Sequence, residues 1–98
     1  MSKKKAAPKE SNGLVDLVGK AVFVRSATHY YTGRLSAITD TELLLDDAAW
    51  VADTGRFAQA LSTGKLNEVE PFPDRVYVSR LALVDACEWS HPLPREAK

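Results

Sequence analysis

The stretch Tyr30 to Asp47, YYTGRLSAITDTELLLDD, constrains the fold more than any other part of the chain. Thr32, Arg34 and Ser36 alternate with Tyr31, Gly33, Leu35 and Ala37, which is the period of a half-buried strand. Thr39-Asp40-Thr41 follows, a run of short oxygen-bearing side chains that bond their own backbone and favour a turn. Glu42 to Leu45 returns as a second strand carrying consecutive leucines and ending on Asp46 and Asp47. Gly33 lies inside the first strand, where glycine marks a bend, a bulge or a close backbone approach. A long bent strand feeding a short leucine-rich one predicts a small, strongly curved sheet.

The flanking segments extend this β-rich pattern. Ser11 or Asn12 is placed to cap a short helix ending at Val18, with Leu14, Leu17 and Val18 on one face and Gly19 as its stop. Lys20 to Ser26, KAVFVRS, has the β-branched and aromatic content of a first strand, and Ala27-Thr28-His29 turns into the hairpin. Beyond the hairpin, Ala48 to Val51 continue the strand. Asp53 or Thr54 then caps a helix over Gly55 to Ser62, with Phe57, Ala60 and Leu61 on one face and Gly64 at its end. Lys65 to Asp74 contains Pro71 and Pro73 and reads as a surface loop, because proline lacks the donor a central strand requires. Arg75 to Trp89 reads as two short strands meeting at a corner at Ser79 and Arg80. The expected organisation is a basic flexible arm over 1–12, one domain over 13–89 with an insertion at 48–74, and a tail over 90–98.

Composition narrows the function classes. A chain of 98 residues with 45% hydrophobic and 27% charged residues matches one soluble globular domain, and its formal net charge of zero predicts no overall pull toward nucleic acid or membrane. The charge is unevenly placed: Lys3, Lys4, Lys5 and Lys9 face only Glu10 in the arm, so the remainder is net acidic. No segment is apolar enough for a signal peptide or a membrane span, which predicts cytoplasmic residence and no membrane partner. Cys87 is the sole cysteine, so no internal disulfide or multi-cysteine metal site forms, and Ala86 and Trp89 beside it predict a packed thiol. His29 and His91 each lack a second ligand at metal-binding spacing, and no nucleophile constellation or phosphate-cradling glycine loop occurs. The expectation is a non-enzymatic protein without catalytic residues, metal or cofactor.

The order of elements, a short helix and then five strands of which the second is long and bent, resembles the Sm-like family, which includes the Hfq branch. Tyr31-Thr32-Gly33-Arg34-Leu35, Ile38, Asp40 and Leu43 to Asp47 look like the first Sm signature; Val76-Tyr77 and Leu81 to Val84 look like the second. The resemblance covers Leu14 to Ala86 except the enlarged connection. It implies a mostly β fold, a five-stranded open barrel of SH3-like type with a short N-terminal helix and a helical insertion. It also implies a homo-oligomeric ring, hexameric or heptameric, joined through Val76, Tyr77 and Val78 on one copy and Leu81, Leu83 and Val84 on the next. The implied ligand is single-stranded RNA at the pore or rim, held by Asp40, Tyr77, Ser79 and Arg80 with help from Lys3, Lys4 and Lys5.

Several positions depart from the family pattern. Leu44 stands where the first turn's asparagine belongs, Ser79-Arg80 replaces Arg-Gly, and Tyr77-Val78-Ser79 keeps only the tyrosine of Tyr-Lys-His. Each candidate also has a plainer role. Asp40 is suited to closing its own turn, Arg80 to a surface ion pair with Asp85 or Glu88, Tyr30 and Tyr31 to core or interface, and the lysines to a solvated terminus. The alternative function is a structural or protein-interaction ring, of phage or accessory-scaffold type, that binds no RNA. Trp50, Phe57 and Phe72 of the insertion would then contact another protein.

Overall fold

In the computed structural model, which describes residues 11–98, six strands follow one another: β1 (Ala21–Ser26), β2 (Tyr30–Ile38), β3 (Glu42–Asp53), β4 (Glu68–Pro71), β5 (Val76–Ser79) and β6 (Leu83–Glu88). One helix, α1 (Phe57–Thr63), lies between β3 and β4. All strand pairs are antiparallel, in the order β4-β3-β2-β1-β6, with β5 also on β3. Strand β3 carries β2 along one edge. Its other edge is shared end to end, β5 on Glu42 to Leu45 and β4 on Ala49 to Asp53. The sheet is open: β5 and β6 each pair with a single strand, β3 and β1 respectively.

The bend expected at Gly33 is a β-bulge. Thr32 pairs with Ala49 and Arg34 with Asp46, so Gly33 alone opposes both Asp47 and Ala48. Asp47 takes the extra residue in a left-handed conformation, φ 51°. A methyl group on Gly33 would lie 3.1 Å from Leu45 Cβ and 3.3 Å from the Ala48 backbone, so any side chain there would push its neighbours apart by a few tenths of an ångström. A second irregularity falls at Ser36, whose hydroxyl donates to the Leu44 carbonyl at 3.2 Å.

The extra residue inverts which side chains of β3 face which way, and the sheet has an apolar core on each face. Leu43, Leu45 and Ala48 pack with Val22, Val24, Leu35 and Val78 on the first face, where Leu14 and Leu17 also sit. Ala49 and Val51 pack with Phe23, Ala60, Leu66, Val69 and Trp89 on the second. Helix α1 covers this second face with its Phe57, Ala60 and Leu61 stripe, and Gly64 ends it at φ 80° with its N–H on the Ala60 carbonyl.

Four expectations are corrected. The strands number six instead of five, because residues 65–74 contain β4, an edge strand that tolerates Pro71 at its last position. The N-terminal helix is a 3-10 turn over Gly13–Leu17, held by side-chain bonds from Ser11 and the Asn12 backbone to Asp16. Residues 90–98 are packed: Leu93 enters the second core, and Lys98 and Val69 exchange backbone hydrogen bonds at 2.9 and 3.2 Å. Cys87 is exposed on β6, which pairs only with β1 among the described residues. Apart from these, Thr32 is fully buried between its partners Phe23 and Ala49, and its hydroxyl has no hydrogen-bond partner among the described residues.

An unpartnered buried hydroxyl and an overfilled bulge affect stability in opposite directions. Thr32→Val is expected to raise the unfolding free energy by about 1 kcal/mol, and Gly33→Ala to lower it by about 1–3 kcal/mol. Urea midpoints check both; a loss on Thr32→Val would mean that the hydroxyl is bonded.

Candidate functional site

Two turns that lie far apart in sequence meet at one end of the sheet. The β2–β3 turn is closed by Thr39, whose hydroxyl accepts from Thr41 N at 3.2 Å and Glu42 N at 2.9 Å, while its own N–H donates to Glu42 O at 2.8 Å. Asp40 is therefore free of the turn-closing role and stands exposed at the tip. Opposite it, β5 ends at Ser79, which pairs with Glu42, and a 3-10 turn over Arg80–Ala82 makes the corner into β6. Arg80 ties the two turns together: its N–H donates to Thr41 O at 2.9 Å and its Nη1 to Thr39 O at 2.7 Å.

The sequence-predicted residues divide accordingly. Asp40, Ser79 and Arg80 are brought together, and Tyr77 follows on β5 opposite Leu44, 59% exposed. Ser79 is spent on structure, its hydroxyl accepting the Leu81 N–H at 3.2 Å as cap of the 3-10 turn. Arg80 is not engaged by Asp85 or Glu88, whose partners are Arg25 and Lys20. Lys3, Lys4 and Lys5 lie outside the described residues. Among the interface candidates, Tyr77, Leu81 and Val84 are exposed, Leu81 almost completely. Val78 is buried in the first core, and Val76 and Leu83, packed against it, are half-buried.

The insertion is not a free contact surface. Phe57 and Phe72 pack against the second and first cores, and Trp50 is half-buried. At the opposite end of the sheet, a cleft of about 610 Å³ gathers Arg25, His29, Tyr30, Trp50 and Val84. No local residue pattern signals this grouping, which depends on the twelve-residue length of β3 bringing Trp50 level with the β1–β2 turn. His29 stands with its ring 6.0 Å from Trp50 and 6.3 Å from Tyr31, and its Nδ1 is 2.8 Å from the Thr28 hydroxyl.

Two forked ion pairs fix the strands that flank the corner. Arg75 reaches both carboxylate oxygens of Asp46, at 2.7 and 3.1 Å, and anchors the start of β5 to β3. Arg25 grips Asp85 in the same way across β1 and β6, with its guanidinium 4.9 Å from the Phe57 ring centre. The arginine hydrogen bonds hold both carboxyls below the usual range and push both guanidinium values upward. On Cys87, partial desolvation of the exposed thiol, followed by the nearby Asp85 charge, pushes its value up. Among the described residues no three His, Cys, Asp or Glu side chains converge to ligate an ion, and no helix is long and apolar enough to cross a membrane. Comparison with protein-family models, with curated proteins and with solved structures finds no match.

The carboxyl shifts fix a sign for the pH dependence. Asp46 and Asp85 release their protons more readily folded than unfolded, so stability from both pairs is complete above the ordinary carboxyl value of about 4 and is lost as pH falls through the lowered ones. Urea midpoints are expected to drop on acidification below about pH 4, with a shallower drop in Asp46→Asn and Asp85→Asn. An unchanged slope in both variants would remove the pairs from the account.

Proposed function

We propose that this chain is an Sm-like protein that closes into a ring of identical copies and holds single-stranded RNA where its two turns meet. The observation that carries the reading is the pair of open edges, β5 and β6, separated by one 3-10 turn and marked by exposed Tyr77, Leu81 and Val84. Open edges with unsatisfied donors and acceptors pair with other strands. Because the two edges differ and belong to one molecule, β5 of one copy meets β6 of the next, a head-to-tail contact that closes into a ring when the rotation allows. The curved sheet, with β6 returning beside β1 after the corner, fits the open barrel of that family.

The RNA contact rests on the joined turns. Asp40 is free to accept from a base edge, and Arg80 keeps guanidinium donors beyond the one bonded to Thr39. In a ring, one such pair per copy would repeat around a central opening, with Tyr77 beside it as a stacking surface. The reading is non-enzymatic, with no cofactor, in the cytoplasm. The net acidic charge outside the basic arm favours a second reading, a protein-interaction ring without RNA.

Native mass together with the 260/280 nm absorbance ratio separates the two. A hexamer or heptamer that carries nucleic acid, or that binds oligouridine or oligoadenosine with an affinity falling steeply with salt, is the expected result. Arg80→Ala should weaken RNA binding about tenfold, the worth of one charged hydrogen bond of roughly 1.5 kcal/mol. A nucleic-acid-free ring with no binding at low salt leaves the second reading, and a monomer at all concentrations rejects both.

A further inference from the structure

We propose that the pocket between α1 and the connection over 65–67 binds a phosphate monoester, gripped by Arg56 and Lys65. It shares no residue with the corner or the open edges, so it stands whether or not copies of the chain assemble.

Three pieces of chain form the pocket. Arg56, Gln59 and Thr63 recur at the spacing of one helix face, on α1 and at its cap. Gly64, left-handed at φ 80°, turns the chain back, and the Lys65 N–H then donates to the Thr63 hydroxyl at 3.2 Å. The Asn67 N–H donates to Asp53 O at 2.9 Å, which closes the loop and lays the Asn67 carboxamide over Gly55. Gly55 sits at φ 69°, and a methyl group there would lie 3.1 Å from Asn67 Nδ2. The hollow holds about 370 Å³, near the lower end of the roughly 300–1,000 Å³ of small-molecule sites.

Charge specifies the ligand. The hydroxyls are spent on structure, Thr54 donating to Gly55 O and Thr63 to Gln59 O, both at 2.7 Å. The side chains of Arg56, Gln59, Lys65 and Asn67 are exposed and make no hydrogen bond among the described residues, whose ion pairs all involve other positions. No carboxylate lines the pocket, and Asp53, which precedes Thr54, is turned to the Gly55 N–H and accepts it at 2.8 Å. Other hollows differ. In the cleft beside His29, Arg25 already grips Asp85, and in the groove along residues 92–98 Glu96 stands with Arg95 and Lys98. The α1 pocket thus carries two uncompensated cations in a body that is net acidic outside its arm.

A guanidinium fork matches two phosphate oxygens, an ammonium supplies a point charge for a third, and the two carboxamides add N–H donors. A monoester carries about −1.5 to −2 charges at pH 7, whereas a diester carries one. Two cations match the monoester.

The test is a titration of phenyl phosphate into the isotope-labelled full chain, followed by NMR with ionic strength held constant by sodium chloride. The side-chain amides of Gln59 and Asn67 should shift saturably with a midpoint of about 1 mM. Arg56→Ala and Lys65→Ala, both at exposed positions, should each raise that midpoint about tenfold. Lys20→Ala, which removes a cation elsewhere on the surface, should leave it unchanged. Inorganic phosphate should compete with phenyl phosphate, and dimethyl phosphate should bind about tenfold more weakly. No saturation by about 10 mM, equal weakening by Lys20→Ala, or equal binding of dimethyl phosphate would overturn the proposal.

Discussion

The rest of the molecule depends on the bulge at which Gly33 alone opposes both Asp47 and Ala48. A sheet whose strands alternate regularly has one apolar face and one wet face. One extra residue at Asp47 breaks the alternation within β3, so that Leu43 and Leu45 serve one core while Ala49 and Val51 serve the other. The insertion and the C-terminal segment then have a surface to cover. Without the bulge, Ala49 and Val51 would turn to the first face, and α1 and Trp89 would lose them as partners.

Covering both faces leaves the edges as the unsatisfied part of the structure. The edge of β4 is met by Lys98, whereas β5 and β6 remain open on either side of the Arg80 corner. That corner is well fixed, with Arg80 bonded to the neighbouring turn and forked pairs from Arg75 and Arg25 holding the strands to either side. Open and partly apolar edges are suited to strand pairing, and the proposed assembly rests on them more directly than any proposed ligand does.

Much of this was legible in the residues. The hairpin, its bend at Gly33, the helix with its Gly64 stop and the corner at Ser79 and Arg80 follow from period and turn chemistry, which act over a few residues. What escaped depends on distant partners. Pro71 argued against a strand, yet β4 is an edge strand that borrows its register from the far half of the long β3. Thr32 has the look of a solvent-facing residue, and only α1 and Trp89, folding back from later in the chain, bury its face. Cys87 was expected to pack because its neighbours are apolar, but it lies exposed on β6, at an edge of the sheet. The meeting of Asp40 with Arg80 was anticipated by the family resemblance alone, and the cleft at His29 and Trp50 by nothing in the sequence.

The claim most in need of measurement is that β5 and β6 complete each other between copies. Hydrogen exchange followed residue by residue, at high and at low protein concentration, reads it directly from the outward-facing amides of Val76 to Ser79 and Leu83 to Glu88. The account predicts slow exchange on both strands in concentrated protein and a joint loss of that protection on dilution. Rapid exchange on both strands at every concentration would mean that the edges stay open to water, and would contradict it.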